Sequence, residues 1–343
     1  MLKNSLLITV ILFFTSCNNT KLPDFVTGLN DSIGKDVIEE TQVLKKVRFL
    51  PNWNLNSQFA AYYVGKELGI FKKYGIDLDI LSYNPSNDFT EEFKKNKVDF
   101  AVLWLSNVIE ANKKNAEIVN IAQFSQKSSV MFVTKKKNKI NRIKDFNGKK
   151  IAIWYDFQNQ AKFFLKKNKV ELEIIPFVNS LNLFYSDAVE IITANYFDEY
   201  NSILNSGYDS SNLTVFFMAD YGINLLEDGL YCKSSLLKTD RDLCIDFANA
   251  TISSWNYVFK HKDESIAIIE KIMKANNQAF NKSHQKWMLN KFEEIYTLNG
   301  KINFKLLEKD YVNNATVLSN INEINKLKPF SEFYQPYNLL KRK

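Results

Sequence analysis

The stretch 50–80, LPNWNLNSQFAAYYVGKELGIFKKYGIDLDI, constrains the fold of this chain more than any other. It reads as a short strand ending at Trp53, an exposed turn, a helix opening near Ser57, a glycine stop, and a second strand from Ile76. Ser57 is the expected N-cap, because its hydroxyl can accept from a first-turn amide that lacks an intrahelical partner. Gly69 and Gly75 stand where left-handed residues would end helical turns. The helix itself is unusual, since Phe59, Ala60, Ala61, Tyr62, Tyr63 and Val64 leave its first half without a polar face. A helix that is apolar all round must be covered on both sides. A sheet can supply one cover; the other requires a second body or a ligand.

Downstream, helical and apolar-strand patterns alternate. A polar helix at 88–97 leads into a strand at 98–105, VDFAVLWL, whose continuous apolar character fits a strand covered on both faces of a parallel sheet. Ser106 and Asn107 are expected to cap a helix at 108–114, and a strand follows at 118–122. A strand at 129–134 then gives way to the KKKNK run at 135–139, read as a solvated crossover. Beyond it the pattern repeats, with strands at 150–155, 171–177, 189–195 and 213–218 and helices at 160–167, 181–188 and 198–205. Glu227-Asp228-Gly229-Leu230-Tyr231 reads as the return crossing, after which helices at 243–259, 265–273 and 287–296 pack back on the first lobe. The tail from Lys328, with Pro329 and Pro336, reads as a surface arm.

The architecture implied is α/β: two doubly wound lobes joined by a hinge, which suits a chain of 343 residues. The expected division is 47–133 with 232–343 for lobe 1, and 134–231 for lobe 2. Ligands of open α/β sheets collect outside the carboxyl ends of strands. A faint echo between 98–102 and 189–193 sets Trp104, Leu105, Ser106 and Asn107 opposite Asn195, Tyr196, Phe197, Asp198 and Glu199 across a cleft.

Composition narrows the function classes. With 45% hydrophobic and 24% charged residues the chain is globular, and its formal charge of +7 comes from dispersed lysines rather than a basic-aromatic module for nucleic acid. Lys3 precedes an apolar run at 6–14, shorter than the ~18–20 residues of a membrane span, so 1–16 reads as an export signal. The run ends in Phe14-Thr15-Ser16-Cys17. A small residue directly before a cysteine resembles the bacterial lipoprotein cleavage box, although Phe14 replaces the usual Leu; a plain signal peptide cut elsewhere is the alternative. Lipid on Cys17 would tether an exported protein, facing the periplasm or cell exterior, through a polar spacer to residue 46. Cys232 and Cys244 then remain, at no metal-ligand spacing, and the two histidines, His261 and His284, exclude a histidine-rich metal site.

The segment W-N-x-x-x-Q-F-A-A-Y-Y-V-x-K-E-x-G-I-F-K-K-Y-G-I-D resembles the opening motif of the NMT1/THI5-like (SsuA/THI5-like) substrate-binding proteins of ABC importers. VDFAVLWLSNVIEANKK with IVNIAQFSQ, T-A-N-Y-F-D-E-Y and S-H-Q-K-W-M-L-N resemble later family segments, so the likeness covers about 47–321. The resemblance implies a type II periplasmic binding protein: a monomer that closes on a small molecule and delivers it to a permease and ATPase on separate chains. No G-x-x-x-x-G-K-[ST] occurs in this chain.

Two departures from the family bear on chemistry. The glycine-rich turn that relatives carry after the first strand of the second lobe reads here Trp154-Tyr155-Asp156-Phe157-Gln158-Asn159-Gln160, without glycine, which disfavours a phosphate cradle. Eukaryotic relatives make the thiamine pyrimidine from pyridoxal phosphate and a histidine of their own chain, with iron near a cysteine-rich motif. Their lysine and histidine correspond to Leu103 and Asn107, and 221–228 holds no cysteine. Leucine forms no Schiff base, so the enzyme reading fails at each position that can be matched.

The candidate ligand-binding residues are Trp53, Gln58, Tyr62, Trp104, Asn107, Trp154, Asp156, Tyr196 and Glu199, with no catalytic residue, metal or cofactor expected. Phe59 reads as core, Ser106 as a cap and Asp228 as part of the hinge. Glu199 matches the family's N-E-Y acid and can accept from a ring or amino N–H, against the alternative of helix-dipole compensation. An aromatic clamp with amides and carboxylates suits a flat, neutral or weakly cationic heterocycle such as a thiamine-pyrimidine precursor. Flavin- or sulfonate-binding relatives, the pyrimidine synthase, and a surface lipoprotein without a transported ligand are the alternatives.

Overall fold

In the computed structural model, which describes residues 43–177, 180–322 and 327–342, the opening stretch forms β1 (Lys45–Leu50) and β2 (Ile76–Ile80), paired in parallel with Phe49 opposite Ile80. The expected signal segment and Cys17 lie outside the described residues. Between the strands, a 3₁₀ turn at Ser57–Phe59 leads into the helix Ala60–Glu67. Its cap is Asn56 rather than Ser57: the Asn56 side chain accepts from the Gln58 N–H at 2.8 Å. The Ser57 N–H is drawn instead to Gln285 Oε1, 2.7 Å away on the helix Lys282–Ile295. Gly69 and Gly75 take the expected left-handed conformation, with φ of 69° and 73°.

The all-apolar helix is covered by the sheet on one side and by protein on the other. Tyr62 stacks on Phe49 of β1 at 3.7 Å between ring centroids, and Phe247 of the helix Arg241–Lys260 stacks on Phe100 at 4.0 Å. The second body is therefore the C-terminal half of the chain, and the helices Arg241–Lys260, Lys262–Ala275 and Lys282–Ile295 all contribute to this core. At Gly65 the approach is so close that an added Cβ would lie 2.2 Å from Ser254 Oγ and 2.8 Å from the Phe71 ring.

Further strands follow in chain order: β3 (Phe100–Trp104), β4 (Ile118–Gln123), β5 (Val130–Lys135), β6 (Lys150–Trp154), β7 (Glu173–Phe177), β8 (Ile191–Asn195), β9 (Leu213–Phe217) and β10 (Asp228–Lys233). They build two five-stranded sheets of matching design, β2-β1-β3-β10-β4 and β7-β6-β8-β5-β9, flanked by helices. Each is parallel except for one strand, β10 in the first and β5 in the second, antiparallel to both neighbours. Those two are the strands that have just crossed from the other sheet. The segment 227–231, expected as a bare crossing, thus supplies a buried interior strand, and β5 begins at Val130, ahead of the expected border at 133/134. A fully buried antiparallel strand carries the same unbroken apolar run as a parallel one, so periodicity does not separate them.

Three other expectations are corrected. The helix Leu105–Lys113 starts directly after β3, with no side-chain cap, so Ser106 and Asn107 stand within its first turn. Lys135, read as solvated, is buried, and its ammonium donates to Phe184 O at 2.6 Å and to Asp187 at 2.7 Å. The tail lies on the sheet: Tyr334 bridges Asn120 of β4, the Gln335 N–H donates to Asn120 O at 2.8 Å, and Phe333 is buried. A further helix, Glu308–Asn322, packs against both Leu105–Lys113 and Gln158–Lys167, reaching helices of both sheets.

The two crossing segments are stapled side by side. Glu227 Oε1 accepts from Ser128 Oγ at 2.8 Å and from the Ser129 N–H at 2.9 Å, while Asn224 Oδ1 accepts from the Ser128 N–H at 2.8 Å. Glu227 is buried and its Oε2 has no partner, so desolvation pushes its carboxyl up to about 8.

Two outcomes follow from this packing. Gly65→Ala will destabilise the protein by about 1–3 kcal/mol through overpacking, and Ser254→Ala in the same chain will recover part of that loss in denaturant titrations. Glu227 holds a proton in the folded state that the unfolded chain loses above 4.5, so its contribution to stability is complete below 4.5 and is lost as pH rises towards about 8. Thermal melts across that window will show a falling Tm for the native chain and a flatter profile for Glu227→Gln.

Candidate functional site

Strand ends, not strand middles, supply the site. β1 and β3 of the first sheet and β6 and β8 of the second run parallel within their sheets, and their carboxyl ends converge on one cavity of about 190 Å³. From β1 the chain continues through Asn52 and Trp53 to Gln58. The end of β3 supplies Leu103 and Trp104, followed by Asn107 on the next helix. The end of β6 delivers Trp154 and, one 3₁₀ turn on, Phe157. The end of β8 delivers Asn195, Phe197, Asp198 and Glu199.

Aromatic rings from the two sheets meet across this space. Trp53 contacts Trp154 edge-on at 5.7 Å, and Trp104 stacks on Phe157 at 5.5 Å with 15° between planes. Tyr83, beyond the end of β2, leans on Trp53 at 5.2 Å. Such pairs contribute roughly 0.5–1.5 kcal/mol each beyond area burial, and a flat guest between them would exchange ring–ring for ring–guest contact.

The polar lining is amides and carboxylates. Among the described residues no Lys, Arg or His lines the cavity. Glu199 Oε2 accepts from the Asn195 N–H at 2.7 Å; burial, and secondarily the neighbouring Asp198 charge, push the Glu199 carboxyl well above the usual carboxylate range. Asp198 is held at 3.0 Å by Nε2 of His284, whose Nδ1 lies 2.8 Å from Asn201 Oδ1. Beneath the floor, buried Asp228 accepts from Gln58 Nε2 at 3.1 and 3.0 Å, and desolvation pushes its carboxyl up to about 6.

Of the residues singled out from sequence, the structure brings together Trp53, Gln58, Trp104, Asn107, Trp154 and Glu199 around the cavity. Tyr62 is not among them; its ring is fully buried between Phe49 and Phe71, on the core side of the helix. Tyr196 also points away, packing on Phe217 and Trp287, with the Lys291 ammonium 4.5 Å from its ring centroid. The Trp287 indole N–H donates to Tyr196 O at 2.9 Å, fixing the backbone there. The side chain of Asp156 lies outside what the structure describes. Sequence reading set Asp198 on the cleft edge without naming it a ligand-binding residue, and it missed Asn52, Tyr83, Asn84, Asn87 and Phe157, although Tyr83 to Asn87 follow the end of β2, the same position relative to a strand that identified Trp104.

Cys232 and Cys244 are both free and buried, with sulfurs 4.0 Å apart, away from the cavity lining. No group of three or more potential metal ligands occurs, and no helix is long and apolar enough to cross a membrane, among the described residues.

Comparison with known proteins places this geometry. The chain superimposes on the aliphatic sulphonate-binding protein SsuA of Escherichia coli with a TM-score of 0.63 at 11% identity, covering 87% of this chain and 94% of that one. A putative sulfonate ABC transporter periplasmic protein from Methylobacillus flagellatus gives 0.62 at 16% identity, covering 86% and 92%. These likenesses establish the periplasmic binding protein fold. In sequence, a 4-amino-5-hydroxymethyl-2-methylpyrimidine phosphate synthase of Schizosaccharomyces pombe is 24% identical over 112 residues, 33% of this chain and 32% of that protein, so the chain matches about a third of the length of its curated relatives. The sequence profile described as NMT1/THI5 like matches residues 56–265, more than half of the 343 residues, and the chain belongs to the NMT1/THI5-like family.

Proposed function

We propose that this chain is the solute-binding component of an ABC importer, which closes two lobes around a single-ring, neutral or weakly cationic nitrogen heterocycle such as a thiamine-pyrimidine precursor. One observation carries the reading: a cavity at facing strand ends, walled by indole and phenyl rings from both sheets and lined by amides and carboxyls without a basic side chain. An engineered cavity of about 150 Å³ holds benzene. At about 190 Å³ this one suits one substituted ring and is small for the three fused rings of a flavin. A sulfonate or phosphate would enter a site with raised carboxyls and no cation, an unfavourable desolvation. The lobes expected from sequence, with borders moved to the crossings before β5 and β10, are the two bodies that rock about the hinge.

The rest of the assignment follows the same reading. Cys17 carries lipid and tethers the exported monomer to the membrane, and the permease and ATPase are separate chains. Site residues are Trp53, Gln58, Trp104, Asn107, Trp154 and Glu199, joined by Asn52, Tyr83 and Asp198.

The names of the curated relatives favour one other reading, a pyrimidine synthase using pyridoxal phosphate. Leu103 and Asn107 reach the cavity at the positions of the family's lysine and histidine, and neither can do that chemistry. Spectra of the natively purified protein will separate the two: a Schiff-base absorbance that survives gel filtration without added pyridoxal phosphate would support the synthase, and its absence the binder.

Mass spectrometry of small molecules released from natively purified protein is expected to find a one-ring nitrogen heterocycle. Trp104→Ala should weaken that compound's affinity by roughly tenfold, about 1.4 kcal/mol, through loss of one stacking face. A released sulfonate or phosphate ester would overturn the assignment.

A further inference from the structure

A buried carboxylate decides which way neighbouring amides turn. Asp228 is 1% exposed and opens β10 beside Trp104 of β3. When ionised it can only accept. Gln58 Nε2 lies 3.1 and 3.0 Å from its two oxygens, and the Tyr296 hydroxyl donates to Oδ2 at 3.5 Å. The ionisable groups that act on Asp228, namely Glu227 and the phenols of Tyr62, Tyr231 and Tyr296, are all pushed up by burial and stay neutral as it ionises.

A carboxamide has its nitrogen and oxygen on opposite branches of one plane. Committing the nitrogen to Asp228 therefore turns the oxygen the other way. Asn52 and Gln58 both line the cavity; the Asn52 oxygen is itself buried, so Gln58 supplies the amide oxygen that a guest can reach. An acceptor on a cavity wall that loses water to a guest costs free energy unless an incoming N–H replaces it.

We propose that Asp228 is a positioning residue, holding Gln58 with its amide oxygen toward the cavity, so that the cleft selects rings bearing N–H donors and rejects the same rings bearing only acceptors. This rests on the ligand-binding reading above and deepens it. Asp198, from the second sheet, lines the same cavity. An exocyclic amine on a small ring meets the Gln58 oxygen as a donor; a methoxy group in its place meets it lone pair to lone pair.

The test uses the full chain and two probes, 4-amino-2-methylpyrimidine and 4-methoxy-2-methylpyrimidine, titrated calorimetrically against the native protein and Asp228→Asn. The native protein should prefer the amine by about ten- to hundredfold, and Asp228→Asn, whose own amide lets its neighbours flip, should bring the two within about threefold. A preference unchanged in the variant, or a native preference for the methoxy compound, would overturn the proposal. If neither probe binds the native protein, the ring-binding function falls. The positioning role is then decided by NMR of the side-chain amides: the Gln58 NH₂ signals should titrate with a single midpoint in the native chain and not in Asp228→Asn. Absent titration of those signals would overturn it even where the variant fails to fold.

Discussion

Everything in this molecule depends on burying the helix Ala60–Glu67 on both faces. Its residues are apolar where an ordinary surface helix would be polar, and each large side chain left in water would forfeit about 1.5–3 kcal/mol. Sheet β2-β1-β3 can cover only one side. The other cover is the helix Arg241–Lys260, with Phe247 set among Tyr62, Phe71 and Phe100. A chain whose first helix is sealed by a helix nearly two hundred residues later must leave the first sheet and return to it. The discontinuous lobes, the two crossings and the cleft between them follow from that one packing requirement.

The crossings in turn fix where chemistry can occur. Because β10 and β5 run against their neighbours, each sheet keeps its parallel strands β1, β3, β6 and β8 pointing carboxyl-end first into the same gap. Glu227 and Asp228, consecutive residues at the start of β10, divide two tasks. Glu227 ties one crossing to the other through Ser128 and Ser129, and Asp228 sits under the cavity floor holding Gln58. Crossing and floor are thereby one short segment of consecutive residues.

The sequence made the frame legible because strand runs, glycine stops and the apolar helix are local signals. Trp104 and Glu199 could be set opposite one another from chain position alone, since both follow apolar strands at the point where a helix begins. Tyr62 was misjudged for a physical reason: a phenol in an apolar helix was expected to need a polar partner at the cleft, whereas its ring is consumed by stacking on Phe49. Tyr196 was misjudged because its orientation is set by Trp287, ninety residues away, whose indole N–H takes the Tyr196 carbonyl. The helix Glu308–Asn322 was not anticipated, and β10 was read as a connector, because six residues that open on Asp228 and end on Lys233 carry no mark of the direction in which they pair.

The electrostatics of the cleft favour hydrogen-bond donors over charge of either sign held alone. Glu199, Asp228 and Glu227 are all displaced upward by burial, which means that the cavity already resists additional negative charge. A ligand anion would join those acids without a guanidinium or ammonium to offset its desolvation. A ring with N–H groups would do the reverse, giving a hydrogen bond to the Gln58 amide oxygen. In the ring-binding reading proposed above, the contacts that recognise the guest would also be the ones that hold the two sheets around it.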